Sequence, residues 1–522
     1  MHVPLTPIRA LYRAVDLYGK KTGVVCQSSR FTYADFGERV ERLAFGVLSE
    51  GVLPGDRVAF LSFNTHQLLE GYFGVPLVRA IVMPLNVRLT ASELSDILNH
   101  AEPRLVFYEP DFAAVVDQLR RNCPAVQRWI EIGEAYEELL SRGRIERPEL
   151  FTFDESEIAE LFYTSGSTGT PKGVMLSHRT LYMHMFSVSA MYYNDETTVE
   201  LHTIPLFHAN GWGRPQCATM HGLKQVMVRR FEPGTVFRLI QEERATSMSL
   251  VPTMATALLN FAGAGQYDVS SVRDIFLGGA ASTPELVQRL EAMFHCAAMV
   301  GYGLTETSPV ATSARDKSTI AFASDEERWQ HRAMTGWAVP GCEVRVVDLT
   351  MRDVPRDLQT VGEIVIRGDN VMDGYYKDPQ GTDAVMTNGW FHTGDMAIWD
   401  EESRVQIVDR KKDIIISGGE NISSIEVERA IAAHEAVLEC AVVSAPDPQW
   451  GEIPAAFVVL KPGRSLGQLE LCEFLQQRLA RFKLPRRFQF TDSPLPKTGT
   501  GKIVKRQLRE ALWSEKELRT QG

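Results

Sequence analysis

Tyr163-Thr-Ser-Gly-Ser-Thr-Gly-Thr-Pro-Lys172-Gly173 is the stretch on which the reading of this chain turns. Positions 164–170 are all Thr, Ser or Gly, and the run 158–163 before them is largely apolar, as in a strand. A helical pattern starts at about Ser177, so the stretch reads as a loop between a strand and a helix. Glycines let main-chain amides approach phosphate oxygens, hydroxyls add donors, and Lys172 adds positive charge. A triphosphate suits that donor set. The loop is not of the Walker A type, because no Gly-Lys-Ser/Thr follows a GxxxxG spacing. A flexible surface turn is the competing reading. A linker rarely needs so many hydroxyls, with Pro171 and Lys172, directly after a strand.

Outward from that loop, helical and strand patterns alternate. Residues 32–48 place Phe36, Val40, Leu43, Ala44, Val47 and Leu48 on one helical face, 57–62 read as a strand, and 65–79 as a second apolar helix. Thr90 with Glu93 forms a capping box opening a helix to about His100, and 105–108 is strand-like. Short buried strands at 275–277 and 298–300 each lead into glycine, at Gly278-Gly279 and Gly301. This rhythm predicts an α/β fold with crossover helices. A charged knot, Asp409-Arg-Lys-Lys-Asp413, separates two apolar runs and marks either a domain boundary or an exposed turn. Beyond it lie about 110 residues, enough for a domain. There Ser423 with Glu426 opens a helix to about His434, strands read at 437–443 and 455–460, and a helix at 466–480.

Composition narrows the function. The chain has 522 residues, 44% hydrophobic and 23% charged, a globular composition that excludes collagen-like, coiled-coil and wholly disordered readings. Its net charge of −11 argues against nucleic acid as a partner. Residues 481–522 nevertheless hold 11 Lys and Arg against 4 Asp and Glu. They are either a solvated basic tail or the end that meets a polyanionic small molecule. Seven scattered cysteines without a CxxC or Cys/His cluster predict no zinc ribbon and a reducing, cytoplasmic setting. No membrane span is expected, since the longest uncharged run, 245–267, contains Pro252 and Asn260.

The phosphate-loop candidate resembles that of the adenylate-forming superfamily, which comprises acyl- and aryl-CoA synthetases, adenylation domains and luciferases. Five further segments agree in order: Gly278-Gly-Ala-Ala281, Gly301-Tyr-Gly-Leu-Thr-Glu-Thr307, Trp390-Phe-His-Thr-Gly-Asp395, Asp409-Arg410 with Gly418-Gly-Glu-Asn421, and Pro496-Lys-Thr-Gly-Thr-Gly-Lys502. The resemblance spans the chain. It implies an acyl-CoA synthetase-like fold: a large N-terminal domain of mixed sheets and crossover helices over 1–409, a hinge at 410–412, and a small mobile α+β domain over 413–522.

What the resemblance implies can be weighed residue by residue. Thr164, Ser165, Gly166, Ser167, Thr168, Gly169 and Lys172 would cradle ATP. A carboxylate beside a triphosphate is repelled unless a cation intervenes, so Glu306 is the candidate Mg²⁺ ligand, with Thr164 nearby and Thr305 on the α-phosphate. Tyr302, flanked by Gly301 and Gly303, offers a ring for adenine or simply packs in the core. Gly278 and Gly279 allow close approach of base or acyl group. Asp395, otherwise a turn residue, would accept from the ribose hydroxyls with Arg410 assisting. Lys502 would relieve charge at the α-phosphate in the transition state, and is preferred over Lys497 by motif register. Lys412 would be the pivot, with the Gly418-Gly419 loop lining a thiol channel. Trp450, Phe482, Lys483 and Arg486 are candidate contacts for coenzyme A, the two aromatics alternatively serving local packing.

The implied reaction makes acyl-AMP from an acid and ATP, then a thioester with coenzyme A. Ile204-Pro-Leu-Phe-His208-Ala-Asn-Gly-Trp212 resembles the substrate-gate segment, with His208 near the carboxylate and Trp212 as a gate. A medium- to long-chain fatty acid is the expected substrate. Ile416 and Asn421, however, stand where some long-chain members carry lysine and tryptophan, and resemble medium-chain and aromatic-acid members. An aryl-acid CoA ligase and a free-standing enzyme loading a carrier protein are the alternatives. The family includes monomers and homodimers.

Overall fold

The computed structural model describes residues 3–164, 171–191, 194–417, 420–497 and 503–520. The side chains of 421 and 514–520 lie outside that description. The chain forms two compact units, one of residues 1–344 and 366–391, the other of 345–365 and 392–522. Residues 392–409, which the sequence places with the N-terminal domain, pack by this division with the C-terminal residues.

The first unit carries two sheets. Six parallel strands form the centre of a nine-stranded sheet, in the order Ala297–Gly303, Asp274–Leu277, Ser247–Leu250, Val199–His202, Lys224–Met227 and Thr22–Cys26. Antiparallel strands close both edges, Val310–Ser313 and Trp337–Ala338 on one side and Ser29–Thr32 on the other. The second sheet runs Gly374–Tyr375, Lys172–Ser177, Ile158–Thr164, Ile81–Pro84, Arg57–Leu61, Leu105–Tyr108 and Arg128–Glu131. Its central strands are apolar on both faces, as parallel strands covered by helices must be. Thr32 with Asp35 caps helix Tyr33–Ser49, and Thr90 with Glu93 caps Ala91–Ala101.

One expectation is corrected here. A strand, Lys172–Ser177, stands between the Thr/Ser/Gly loop and helix His178–Met191. Its burial does not alternate, since Gly173, Val174, Leu176 and Ser177 are all buried, so periodicity alone missed it. The uncharged run 245–267 folds as strand Ser247–Leu250 and helix Pro252–Leu259. Among the described residues no helix is long and apolar enough to cross a membrane.

In the second unit, Val437–Asp447 and Gly451–Leu460 form a long hairpin; Gly451–Leu460 is joined in parallel by Arg487–Thr491 and, near Gly451, by the antiparallel strand Ile415–Ser417, which pairs in turn with Glu420–Ile422. Helix residues Val427, Ile431, Leu471 and Leu475 cluster with one set of alternating sheet residues (Val442, Ala456, Val458). Leu508, with Leu512 of the final helix, meets the alternate set, Ala441, Val443, Phe457 and Val459. The sheet is thus covered on both faces, which the predicted strands 437–443 and 455–460, each four residues shorter than observed, did not reveal.

Candidate active site

The candidate residues of the first unit follow the carboxyl ends of parallel strands, where open α/β sheets bind ligands. Strand Ile158–Thr164 ends in Thr164, which pairs with Lys172 across the base of the loop. Ser165, Gly166, Ser167, Thr168 and Gly169 lie outside the described residues. Strand Asp274–Leu277 ends at Gly278 and Gly279, and Gly279 has φ +78°, a left-handed conformation that favours glycine. Strand Ala297–Gly303 contains Gly301, Tyr302 and Gly303 and leads into the single turn Thr305–Thr307 that carries Glu306.

Trp212 covers the end of strand Asp274–Leu277. Its buried indole packs so closely that a Cβ on Gly278 would stand 3.1 Å from the ring, and it meets Phe276 edge-on with centroids 5.8 Å apart. Gly301 is as tightly enclosed: a Cβ there would lie 2.3 Å from Phe276 and 2.7 Å from the Thr312 carbonyl oxygen. The turn bearing Trp212 has left-handed backbone at Ala209, Asn210 and Trp212, a strained run of the kind that needs surrounding contacts to hold it. One such contact is Asn210 Oδ1, which accepts from Gly213 N at 2.6 Å. Beneath it His184, kept neutral by burial with its pKa lowered to about 3, accepts from Val310 N at 3.0 Å. His208, half-buried, immediately precedes this turn.

Glu306 and Lys172 are linked by a residue the sequence reading missed. Tyr375 donates from its hydroxyl to Glu306 Oε1 at 2.9 Å, while the Lys172 ammonium sits 4.4 Å from the centre of the same ring. Burial, then the Glu306 carboxylate, pushes the Tyr375 pKa up, so the hydroxyl stays a donor. Lys172 lies 3.6 Å from Asp378, and these residues with His100 and Tyr376 line a cavity of about 210 Å³. Tyr375 reaches this place because Gly374–Tyr375 pairs with Val174 and Met175, some 200 residues earlier. No local motif announces that pairing. Tyr302 is buried. Thr305 is buried as well.

Glu160 is a second missed group. It is buried two residues into the strand that ends at Thr164, receives Gln216 Nε2 at 2.8 Å and Asn210 Nδ2 at 3.3 Å, and burial raises its pKa to about 8. The signal was available: a lone carboxylate inside the apolar run Ile158-Ala-Glu-Leu-Phe162.

Mg²⁺ is tested by the donor set. Among the described residues no three His, Cys, Asp or Glu side chains cluster as a cage. Glu306 offers one carboxylate beside a cationic side chain, which fits a Mg²⁺ that takes its other oxygens from nucleotide phosphates and water.

The second unit holds the remaining candidates. Asp395 is buried and pairs with Arg410 across adjacent antiparallel strands, with Arg410 Nε 3.4 Å from its Oδ1. Thr393 Oγ1 accepts from the Asp395 amide at 3.1 Å and orients the turn. Lys412 is exposed at the side chain, yet partial burial and then Arg410 lower its pKa. Arg486 lies over the exposed Trp450 ring at 4.9 Å, and Phe482 is 42% exposed, so neither aromatic is committed to the core. Lys483 is engaged elsewhere, donating to both oxygens of Glu426 at 2.7 and 2.8 Å. Ile416 is exposed and lies opposite Asn421 in the strand register. Gly418, Gly419 and Lys502 lie outside the described residues.

Comparison with known proteins shows the family. Residues 11–376 match the family described as AMP-binding enzyme, and residues 426–502 match the AMP-binding enzyme C-terminal domain. The chain belongs to the adenylate-forming, AMP-binding enzymes. Among its relatives, a long-chain-fatty-acid–CoA ligase of Thermus thermophilus is 38% identical over 516 residues, 96% of this chain and 94% of that protein. A peroxisomal butyrate–CoA ligase of Arabidopsis thaliana is 35% identical over 537 residues, 98% of this chain and 93% of that protein. The solved o-succinylbenzoate CoA synthetase of Bacillus subtilis, in complex with its acyl-adenylate intermediate, superposes with a TM-score of 0.84 at 27% identity, covering 96% of this chain and 97% of that one.

Proposed function

We propose that this AMP-forming acid–CoA ligase acts on a medium- to long-chain fatty acid. A carboxylate oxygen attacks the α-phosphorus of ATP and the bond to pyrophosphate breaks. The thiol sulfur of coenzyme A then attacks the acyl carbon, and AMP leaves with the bonding pair. The observation that carries the choice of acid is Trp212, a large apolar side chain packed over the carboxyl end of strand Asp274–Leu277 at Phe276 and Gly278. Displacing it would open an apolar path, and a tail entering there gains ~0.8 kcal/mol per buried CH₂. The relationship to the Thermus ligase supports the same choice.

The side chains divide the work. Thr164, Lys172 and the 165–169 loop hold the phosphates. Thr305 faces the α-phosphate, and His208 orients the acid. Mg²⁺ bound at Glu306, with Thr164 beside it, would neutralise phosphate charge. Asp395 and Arg410 hold the ribose, and Lys502 stabilises the charge that builds at the α-phosphorus. The segment 410–412 is the hinge about which 413–522 turns, so that Gly418-Gly419 serves the second step. Trp450 and Arg486 suit the adenine and phosphates of coenzyme A, and Lys483 joins them on exchanging Glu426 for phosphate. A cytoplasmic setting belongs to the same reading.

A second reading, an aryl acid, is compatible with Ile416 and Asn421 and with the o-succinylbenzoate relative, and the butyrate relative extends it to short acids. A panel of acids scored by pyrophosphate release decides between them. Decanoate is expected to turn over at least tenfold faster than benzoate or cinnamate. The reverse order would overturn the fatty-acid assignment.

A further inference from the structure

The charged knot 409–413 is held from both sides by residues that no motif singles out. Asp409 is 1% exposed; its Oδ1 accepts from Arg410 N at 2.8 Å and its Oδ2 from Ser424 N at 2.6 Å. Ser424 begins helix Ser424–Ala432, so the carboxylate sits at that helix's N-terminal, positive end. Ser423 adds a bond from its hydroxyl to the Val408 carbonyl. Lys505 supports the same seat. Its ammonium donates to Ser424 Oγ at 2.6 Å and pairs with Glu428 at 2.8 Å, its side chain only 16% exposed. Burial works against that charge, but Glu428 and then Asp409 outweigh it and raise the Lys505 pKa, so it stays an ammonium. One helical turn on, Arg509 Nη1 donates to the Lys412 carbonyl and to Asp413 Oδ1, both at 2.9 Å.

Of these bonds, Asp409–Ser424 and Ser423–Val408 span residue 412, whereas Lys505–Glu428 and Arg509–Asp413 lie beyond it. Rotation about its φ and ψ carries the Lys412 carbonyl along with everything that follows, so the Arg509 bond can survive the turn. Asp409 lies before the pivot and Ser424 after it. Their bond cannot survive, because hydrogen bonds weaken steeply with distance and angle. On the hinge assigned above, we propose that Asp409, seated on Ser424 and steadied by Lys505, is a latch across the pivot that must open between the two half-reactions, and that Arg509 marks where the moving body begins. Lys505 is a positioning residue here. It stands three positions after Lys502, so the latch and the catalytic loop share one short segment.

Two measurements on the full chain test this. Trypsin cuts after Arg410, Lys411 and Lys412, all exposed. Cleavage there is expected severalfold faster in Asp409→Ala and Lys505→Met than in wild type, and near the wild-type rate in Lys505→Arg. With decanoate as probe, ATP–pyrophosphate exchange and thioester formation from supplied decanoyl-AMP should change in ratio by at least fivefold in Asp409→Ala. Unchanged cleavage, or equal loss in both half-reactions, overturns the latch. If Asp409→Ala fails to fold, Lys505→Met against Lys505→Arg decides the question alone. The cleavage arm needs no acid, so wild-type inactivity on decanoate counts against the substrate reading while the latch is still decided.

Discussion

At the carboxyl ends of the parallel strands, position is set by contact. Gly301 has no room for a methyl against Phe276 and the Thr312 carbonyl, and a methyl on Gly278 would press on Trp212. Around the segment 409–413, position is set by charge: Asp409 on Ser424, Lys505 on Glu428, Arg509 on Asp413. The difference matters for what each region can do. Close packing favours one arrangement, because a displaced ring loses its dispersion contacts unless another apolar group, such as an acyl tail at Trp212, replaces them. Charged hydrogen bonds can be exchanged for others, including those to water, at little net change. A rigid region suits a site that must hold phosphates in register, and an exchangeable one suits a chain that must adopt two poses.

Perturbing the two regions should therefore give different signatures. The largest effect is expected at Lys502. Lys502→Ala should cut adenylation about 10²–10³-fold, the range for removing one group that stabilises developing charge. Thioester formation from supplied acyl-AMP should stay within a few-fold of wild type. Loss of both half-reactions in equal measure would remove the assignment of Lys502 to the first pose.

Glu160 gives the next signal, in stability rather than rate. Its pKa is raised to about 8 in the fold, against an ordinary value of 4.5. Between those values the native chain holds a proton that the unfolded chain has released, so stability falls as pH rises through that window. Glu160→Gln, which cannot ionise, should flatten the dependence and raise Tm at pH 9 relative to wild type more than at pH 5. Parallel Tm–pH curves for the two proteins would show that Glu160 is ionised in the fold.

Gly301→Ala probes the packed region directly. Overpacking of this kind costs about 1–3 kcal/mol, so Tm should drop and both half-reactions should weaken together, unlike the split expected at Lys502. Wild-type Tm would contradict the closeness of Phe276. The smallest effect is expected from Tyr375→Phe, which removes one hydrogen bond to Glu306, worth about 0.5–1.5 kcal/mol. It should raise the Mg²⁺ concentration for half-maximal ATP–pyrophosphate exchange a few-fold, with Tm little changed. An unaltered Mg²⁺ titration would separate Tyr375 from the metal's carboxylate.

Local signals were enough wherever the chemistry is local. The capping box of Thr90 and Glu93 stands where it reads, the strand 105–108 is found as Leu105–Tyr108, and Gly278 follows a parallel strand, whereas Gly301 lies within strand Ala297–Gly303, where its parallel pairing ends. Strand Lys172–Ser177 was hidden because six residues between a loop and a helix leave too little alternation to detect. Lys505 and Arg509 looked like part of a solvated basic tail. Their roles depend on Glu428 and Asp413, which lie some 80 and 100 residues earlier.

The order and chemistry of the motifs, and with them the family, the nucleotide and the α/β class, were determined by the sequence itself, because a phosphate loop or a capping box is made by neighbours along the chain. Only the tertiary structure decided that Tyr375 ties Glu306 to Lys172, that Trp212 closes over Gly278, and that Asp409 is clasped by Ser424. Each of these joins residues brought together by sheet pairing or helix docking, and such contacts are specified by the whole packed core rather than by any stretch of sequence short enough to read alone.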